Sequence, residues 1–103
     1  INYAGNVEAA QKTAVDCITV AKTGGKAIRA EVCQADISIG AERQKLISFT
    51  RDKFGRLDLL VNNAWSGYQA KQRSKRSGFH TAFWKLPPSF WDSMFTVGVR
   101  AHY

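Results

Sequence analysis

The residues best suited to chemistry in this 103-residue chain are Asn62 and Asn63, which with Ala64 close an apolar run, Leu57-Asp58-Leu59-Leu60-Val61. An asparagine amide offers both donors and an acceptor, so two of them at a strand end can hold polar backbone or a ligand hydroxyl. Open α/β sheets bind their ligands at the carboxyl ends of strands. A plain Asx-turn is the alternative. Two more polar positions follow apolar stretches: Asp36, next to Ile37, and Asn6, after Tyr3-Ala4-Gly5. Metal chemistry is not indicated. His80 and His102 have no cysteine or carboxylate at ligand spacing, and Cys17 and Cys33 form no metal or redox motif. The cysteines read as reduced core thiols, which fits an intracellular, cytoplasmic setting, with an organelle-associated one as the alternative.

The elements that must position these residues follow from periodicity and punctuation. The start, Ile1-Asn2-Tyr3, reads as the end of a strand. Asn6 is the predicted N-cap of a helix over residues 7–22, with Val7, Ala10, Ala14, Cys17, Ile18 and Ala21 on one face. Gly24-Gly25 ends it, supplying the positive φ required after the C-cap. A second strand is expected over residues 27–32, with Ala35 as its outer limit. A helix then opens at Ser38 or Gly40 and runs to Phe54, with Leu46, Ile47, Phe49 and Phe54 on its buried side and Gly55 as its cap. Residues 57–62 form the next strand; an apolar run without alternation predicts burial on both faces, as in parallel sheets. Strand, helix, strand, helix, strand at these lengths predicts an α/β fold built from βαβ units.

Residues 65–88 are long, polar and basic for a loop inside a domain. Pro87-Pro88-Ser89 introduces a last helix, with Ser89 the expected N-cap and Phe90, Trp91, Met94, Val97 and Ala101 its apolar face. Phe83, Trp84, Phe90 and Trp91 read as a core cluster anchoring that helix, with a substrate-pocket wall as the sharper alternative. Gly98 inside it costs up to ~1 kcal/mol relative to alanine and so implies close packing.

Net charge is +7, and Lys71, Arg73, Lys75 and Arg76 lie within six residues. No aromatic residue is interleaved among these four and no apolar stripe accompanies them, so nucleic-acid binding is disfavoured. No apolar run approaches the ~18 residues of a membrane span. The first residues lack the basic and apolar regions of a signal peptide. The missing initiator Met, and an end without a helix stop, lead to the expectation that both ends are cut.

Residues 54–64, Phe-Gly-Arg-Leu-Asp-Leu-Leu-Val-Asn-Asn-Ala, resemble the short-chain dehydrogenase/reductase family, in which Asn-Asn-Ala closes the fourth strand. The resemblance covers nearly the whole chain. Asn2-Tyr3-Ala4-Gly5-Asn6 is similar to the end of strand two in the acyl-carrier-protein reductase branch. Gly24-Gly25-Lys26-Ala27-Ile28 and Ala35-Asp36-Ile37-Ser38 resemble the third strand and its adenine-side aspartate. Phe83-Trp84, Pro88, Phe90-Trp91-Asp92 and residues 97–103 resemble a branch called dehydrogenase/reductase member 1.

The resemblance implies a Rossmann-like doubly wound parallel sheet, of which residues 1–103 would be an internal piece of one nucleotide-binding domain, from strand two to helix five. The family's glycine-rich loop, catalytic Ser and Tyr-x-x-x-Lys have no counterpart in these residues, so no catalytic residue is assigned. Asn62 would support the central backbone and Asn63-Ala64 would run along the cofactor ribose. Asp36 would accept from the adenine amino group, with Ile37 against the ring. Tyr3-Ala4-Gly5-Asn6 carries no acid to repel a 2′-phosphate, so NADP is expected over NAD; alternatively Asn6 does no more than cap its helix. Gly98 stands where many members place an asparagine that anchors a proton-relay water, and Trp65 replaces a glycine.

The parent enzyme would move hydride between a nicotinamide and a small carbonyl or alcohol substrate, and could be a homo-oligomer. The 103 residues alone are expected to be inactive. A non-catalytic remnant that binds a nucleotide or a partner is the alternative. In the family's strand order the third and fourth strands are not neighbours, so unmade ladder bonds and bare apolar edges are expected here.

Overall fold

The computed structural model describes residues 1–66 and 82–103. Lys71, Arg73, Lys75, Arg76 and His80 lie outside the described residues. The chain divides into two compact units, Ile1–Asp58 and Leu59–Tyr103.

The first unit runs β1 (Asn2–Tyr3), α1 (Val7–Thr23), β2 (Cys33–Gln34) and α2 (Gly40–Phe54). Helix α1 is capped at both ends by its own sequence. The Asn6 side-chain oxygen accepts the Ala9 N–H at 2.9 Å, satisfying one of the first-turn donors. Glu8 in the first turn and Lys22 in the last complement the helix dipole. At the other end the Gly25 N–H donates to the Lys22 carbonyl at 2.9 Å and the Lys26 N–H to the Ala21 carbonyl at 2.8 Å. That is a Schellman closure, and Gly25 at φ +71° supplies the left-handed residue it requires. Helix α2 begins after Ile39, which offers no side-chain cap, and ends on Gly55 at φ +78°, whose N–H donates to the Arg51 carbonyl at 2.7 Å.

β1 and β2 pair in parallel, with Asn2 opposite Cys33 and Tyr3 opposite Gln34. The Cys33 N–H donates to the Ile1 carbonyl and the Ala35 N–H to the Tyr3 carbonyl, both at 2.9 Å. Two side-chain amides reinforce the pair from opposite strands. Asn2 Nδ2 donates to the carbonyls of Ala35 (2.9 Å) and Cys33 (3.3 Å), and Gln34 Nε2 donates to the Ala4 carbonyl at 3.0 Å. α1 packs on β1 and α2 on β2.

The strand expected over residues 27–32 is confined to Cys33–Gln34. Beside that pair the Ile1 amino group donates to the Glu31 carbonyl at 2.7 Å, and residues 27–30 have no strand partner among the described residues. That segment is instead tied to the end of α2. Arg29 donates to the Lys53 carbonyl at 2.5 Å, and its guanidinium lies 5.1 Å from the centre of the Phe54 ring.

The buried residues of this unit are small: Ala10, Ala14, Cys33 and Ala35. Burying a methylene-sized group contributes about 0.8 kcal/mol, against ~1.5–3 kcal/mol for a large aliphatic or aromatic side chain. The apolar side expected for α2 is therefore not a core. Leu46 and Phe49 are half-buried, and Ile47 and Phe54 are exposed. Cys17, expected as a core thiol, is exposed, whereas Cys33 is buried; both are free.

In the second unit, a 3₁₀ turn (Phe83–Lys85) precedes α3 (Pro88–Gly98), and a further 3₁₀ turn covers Arg100–His102. Pro87 is the N-cap of α3, not Ser89, and Pro88 takes the first helical position, where its missing N–H costs nothing. Gly98 is the last residue of α3 rather than an interior one.

The buried strand expected over residues 57–62 does not form. These residues are unpaired, and Leu57, Leu59, Leu60 and Val61 are exposed, Leu59 at 77%. A run apolar on both faces needs a hydrogen-bonded neighbour and covering layers, and no described residue supplies a partner strand. The expected aromatic core cluster is corrected in the same way. Phe83, Trp84 and Trp91 are exposed and Phe90 is half-buried. The rings pair locally instead, Phe83 edge-on to Trp84 at 5.2 Å and Trp91 stacked with Phe95 at 5.4 Å.

Three outcomes follow from this architecture. Asn6→Ala removes the α1 cap at a cost of about 1 kcal/mol, so amide exchange at Ala9 and Ala10 accelerates by roughly fivefold. Asn2→Ala deletes two neutral hydrogen bonds worth ~1 kcal/mol each, so protection of the Cys33 and Ala35 amides falls by at least roughly tenfold. Urea unfolding of the 103-residue chain, followed by circular dichroism, is broad, with an m-value below the ~1–3 kcal/mol/M of compact small proteins. A sharp transition inside that range contradicts the small-residue core.

Candidate functional site

Parallel pairing brings the carboxyl ends of β1 and β2 to one edge of the first unit. Residues 4–6 leave β1 there, and residues 35–37 leave β2. Of the sequence-predicted site residues, Tyr3, Asn6, Asp36 and Ile37 belong to this unit. Tyr3 is half-buried, and its carbonyl is held by the Ala35 N–H, which fixes the two strand ends side by side. Asn6 is exposed, with its side-chain oxygen committed to the Ala9 N–H. Capping is therefore an actual role of Asn6, and its amide N–H groups are what remain for a ligand.

Asp36 builds the turn that follows β2. Its Oδ1 accepts the Ser38 N–H at 2.9 Å and its carbonyl accepts the Ile39 N–H at 3.0 Å. This is an Asx-turn, and it makes the local conformation independent of any ligand. Asp36 Oδ2 makes no hydrogen bond to the described residues, and the residue is exposed. Ile37 beside it is half-buried, and its carbonyl accepts from Arg43 at 2.6 Å. Arg43 projects back from α2 over the start of its own helix, where a Cβ on Gly40 would lie 3.6 Å from its guanidinium. Nothing in the sequence distinguishes Arg43 from the other arginines, because its role depends on the turn that Asp36 makes.

Lys45, two residues further along α2, donates to Glu42 at 2.8 Å. That bond holds its ammonium above the ordinary lysine value, with weaker attraction from Cys33 and Tyr3.

Asn62, Asn63 and Ala64 belong to the second unit. The Asn63 N–H donates to the Val61 carbonyl at 3.0 Å, closing a three-residue turn centred on Asn62. No non-glycine residue among the described ones has positive φ, so this is the inverse γ-turn common at strand ends. Both asparagines are exposed, and their side-chain amides make no hydrogen bond to the described residues. Ala64 is half-buried. The next residues anchor the turn. The Trp65 ring lies 3.6 Å from where a Cβ on Gly98 would stand, and Ser66 is 7% exposed. Ser66 Oγ and His102 Nε2 are enclosed without hydrogen-bond partners among the described residues. Leaving such a buried group unsatisfied costs about 1–3 kcal/mol. Sequence reasoning singled out neither Ser66 nor the Trp65–Gly98 contact, although the cost of Gly98 to its helix was a signal for the latter. No group of three or more potential metal ligands occurs among the described residues. No described helix is long and apolar enough to cross a membrane.

No family model matches the chain. Among curated proteins, it is 45% identical over 53 residues to the human dehydrogenase/reductase SDR family member 1, a stretch covering 52% of this chain and 16% of that protein. It is 42% identical over 64 residues to an uncharacterized oxidoreductase of Methylorubrum extorquens, covering 62% of this chain and 23% of the relative. It is 41% identical over 64 residues to a 3-oxoacyl-(acyl-carrier-protein) reductase of Synechocystis, covering 62% and 24%. The matched stretches thus span less than a quarter of each relative's length. Over these stretches the chain is similar to parts of several differently named oxidoreductases, one of them named as an SDR family member.

Proposed function

We propose that this chain contributes cofactor contacts to an NAD(P)-dependent oxidoreductase that acts on a small carbonyl or alcohol. The observation that carries the reading is the parallel β1–β2 pair, which presents Tyr3, Asn6, Asp36 and Ile37 at one carboxyl edge. Both units are taken as parts of one Rossmann-like doubly wound domain, in keeping with the β-α-β-α order of the first.

The residues present suit a dinucleotide. Asp36 Oδ2 is an uncommitted acceptor for an adenine amino group, and half-buried Ile37 offers an apolar surface beside it. The uncommitted amides of Asn62 and Asn63, with Ala64, suit a ribose and the backbone around it. When bound, the nicotinamide is the carrier of the hydride. This chain binds and orients; none of its residues is assigned a proton-transfer role.

NADP is favoured over NAD. No acid follows β1 at residues 4–6, and the first N–H groups of α1 together with the Asn6 amide face a position where a 2′-phosphate would be held. Glu8 in the first turn of α1 opposes an anion there. The preference is therefore a modest one.

The test is a nuclear magnetic resonance titration of the 103-residue chain with adenosine 2′-monophosphate and, separately, adenosine 5′-monophosphate. At millimolar nucleotide the 2′-phosphate compound shifts the amides of Val7, Asp36 and Ile37, and does so more strongly than the 5′ compound. Equal responses remove the NADP preference. No response from either overturns the adenosine edge.

A further inference from the structure

We infer that Arg43 is a positioning residue for the Asp36 carboxylate and acts on it through the Ile37–Ser38 peptide group. The inference rests on the cofactor reading for its functional meaning, but its geometry lies wholly within the first unit. That peptide group is held on both sides. Its carbonyl, on Ile37, accepts from Arg43 Nη1 at 2.6 Å, and its N–H, on Ser38, donates to Asp36 Oδ1 at 2.9 Å. The atoms between these bonds are planar and resist twisting. Guanidinium and carboxylate are therefore joined through hydrogen bonds to one rigid group, with no loose side chain between them.

The bonds also strengthen each other. A cation at the carbonyl polarises the peptide and makes its N–H a better donor to the carboxylate. That N–H fixes Oδ1, and with it the direction of Oδ2, the oxygen left uncommitted for an adenine amino group. The Asx-turn by itself holds the Ser38 N–H and does nothing for the Ile37 carbonyl. Neighbouring carbonyls at this edge have other donors: the Ala35 N–H for Tyr3, Gln34 for Ala4, Asn2 for Ala35 and the Ile39 N–H for Asp36. Each of those donors is a neutral amide, so the charged bond in the set is the one from Arg43. Arg43 is itself fixed in place. It is half-buried, and its backbone N–H donates to the Ile39 carbonyl at 3.1 Å in the first turn of α2. Its guanidinium lies beside Gly40, where a Cβ would stand 3.6 Å from Nη2.

The experiment compares the unsubstituted 103-residue chain with Arg43→Met, which keeps an apolar stem and loses the donors, and Arg43→Lys, which keeps a cationic donor. Without nucleotide, nuclear magnetic resonance reads the Ile37 carbonyl carbon, the Ser38 amide and the Asp36 side-chain carboxyl carbon. All of these shift by more than a linewidth in Arg43→Met, and shift in the same direction but less in Arg43→Lys. A side chain that only packs is replaced by methionine without moving the Asp36 carboxyl. The inference is overturned if that carboxyl stays in place in Arg43→Met, or if Arg43→Lys shifts it as far as Arg43→Met does. Should Arg43→Met lose its α2 amide signals, the unsubstituted chain decides. A guanidinium held on the Ile37 carbonyl gives separate Nη resonances at low temperature, and a single averaged resonance overturns the inference. Adenosine 5′-monophosphate reads the consequence for binding: Arg43→Met weakens it by about fivefold, and equal affinity overturns the inference. If the unsubstituted chain ignores the nucleotide, the adenosine edge falls while the nucleotide-free shifts still decide the role of Arg43, so the two readings fail separately.

Discussion

The parallel contact between β1 and β2 is the constraint on which the rest of the first unit depends. It is very short, with Asn2 opposite Cys33 and Tyr3 opposite Gln34. So short a ladder would be a weak tether for segments separated by a seventeen-residue helix. The reciprocal side-chain amides make up the difference, Asn2 holding the carbonyls of β2 and Gln34 holding the carbonyl that follows β1. These amides do more than add bonds. They fix register, because a one-residue slip in either strand removes all three of them along with the ladder. Register in turn decides that Asp36 and Asn6 leave the sheet on the same edge.

The second unit is organised differently. Its described residues form no ladder, and their ordering comes from local closures: an inverse γ-turn, 3₁₀ turns, and a proline-started helix. Its aromatic residues meet as neighbours in sequence rather than across a core. The indole of Trp65 against Gly98 is a long-range contact that ties the turn at Asn62 to α3. Both units therefore present polar groups from short, stiff turns that are closed by their own hydrogen bonds.

Local signals were legible in the sequence, and non-local ones were not. Asn6, Gly25 and Gly55 could be placed because each solves a problem within four residues of itself, a free N–H or a left-handed turn. The bounds of α1 and α2 followed from them. The strands could not be read as well, because apolar composition says what a segment needs and not whether a partner is present. Residues 57–62 have the composition of a buried strand and are unpaired. Residues 27–30 likewise have no strand partner among the described residues, since the parallel pairing is confined to Asn2–Tyr3 and Cys33–Gln34. Ser89 looked like a cap, but proline at the first helical position prevailed by fixing φ. At the site, Asp36 and the asparagines stand out by residue type. Arg43 and Ser66 do not, because their placement follows from turns made by other residues.

The core of three alanines and one cysteine has a thermal corollary. The heat-capacity change of unfolding scales with the apolar surface newly exposed to water. A unit that hides mainly methyl groups exposes little new apolar surface on melting. Its unfolding enthalpy therefore varies weakly with temperature, and its stability curve is shallow. Such a unit gains little from cooling and loses little on modest warming. Its order is governed at all temperatures by hydrogen-bonded closures, the caps of α1 and the amides across β1 and β2, rather than by solvent release.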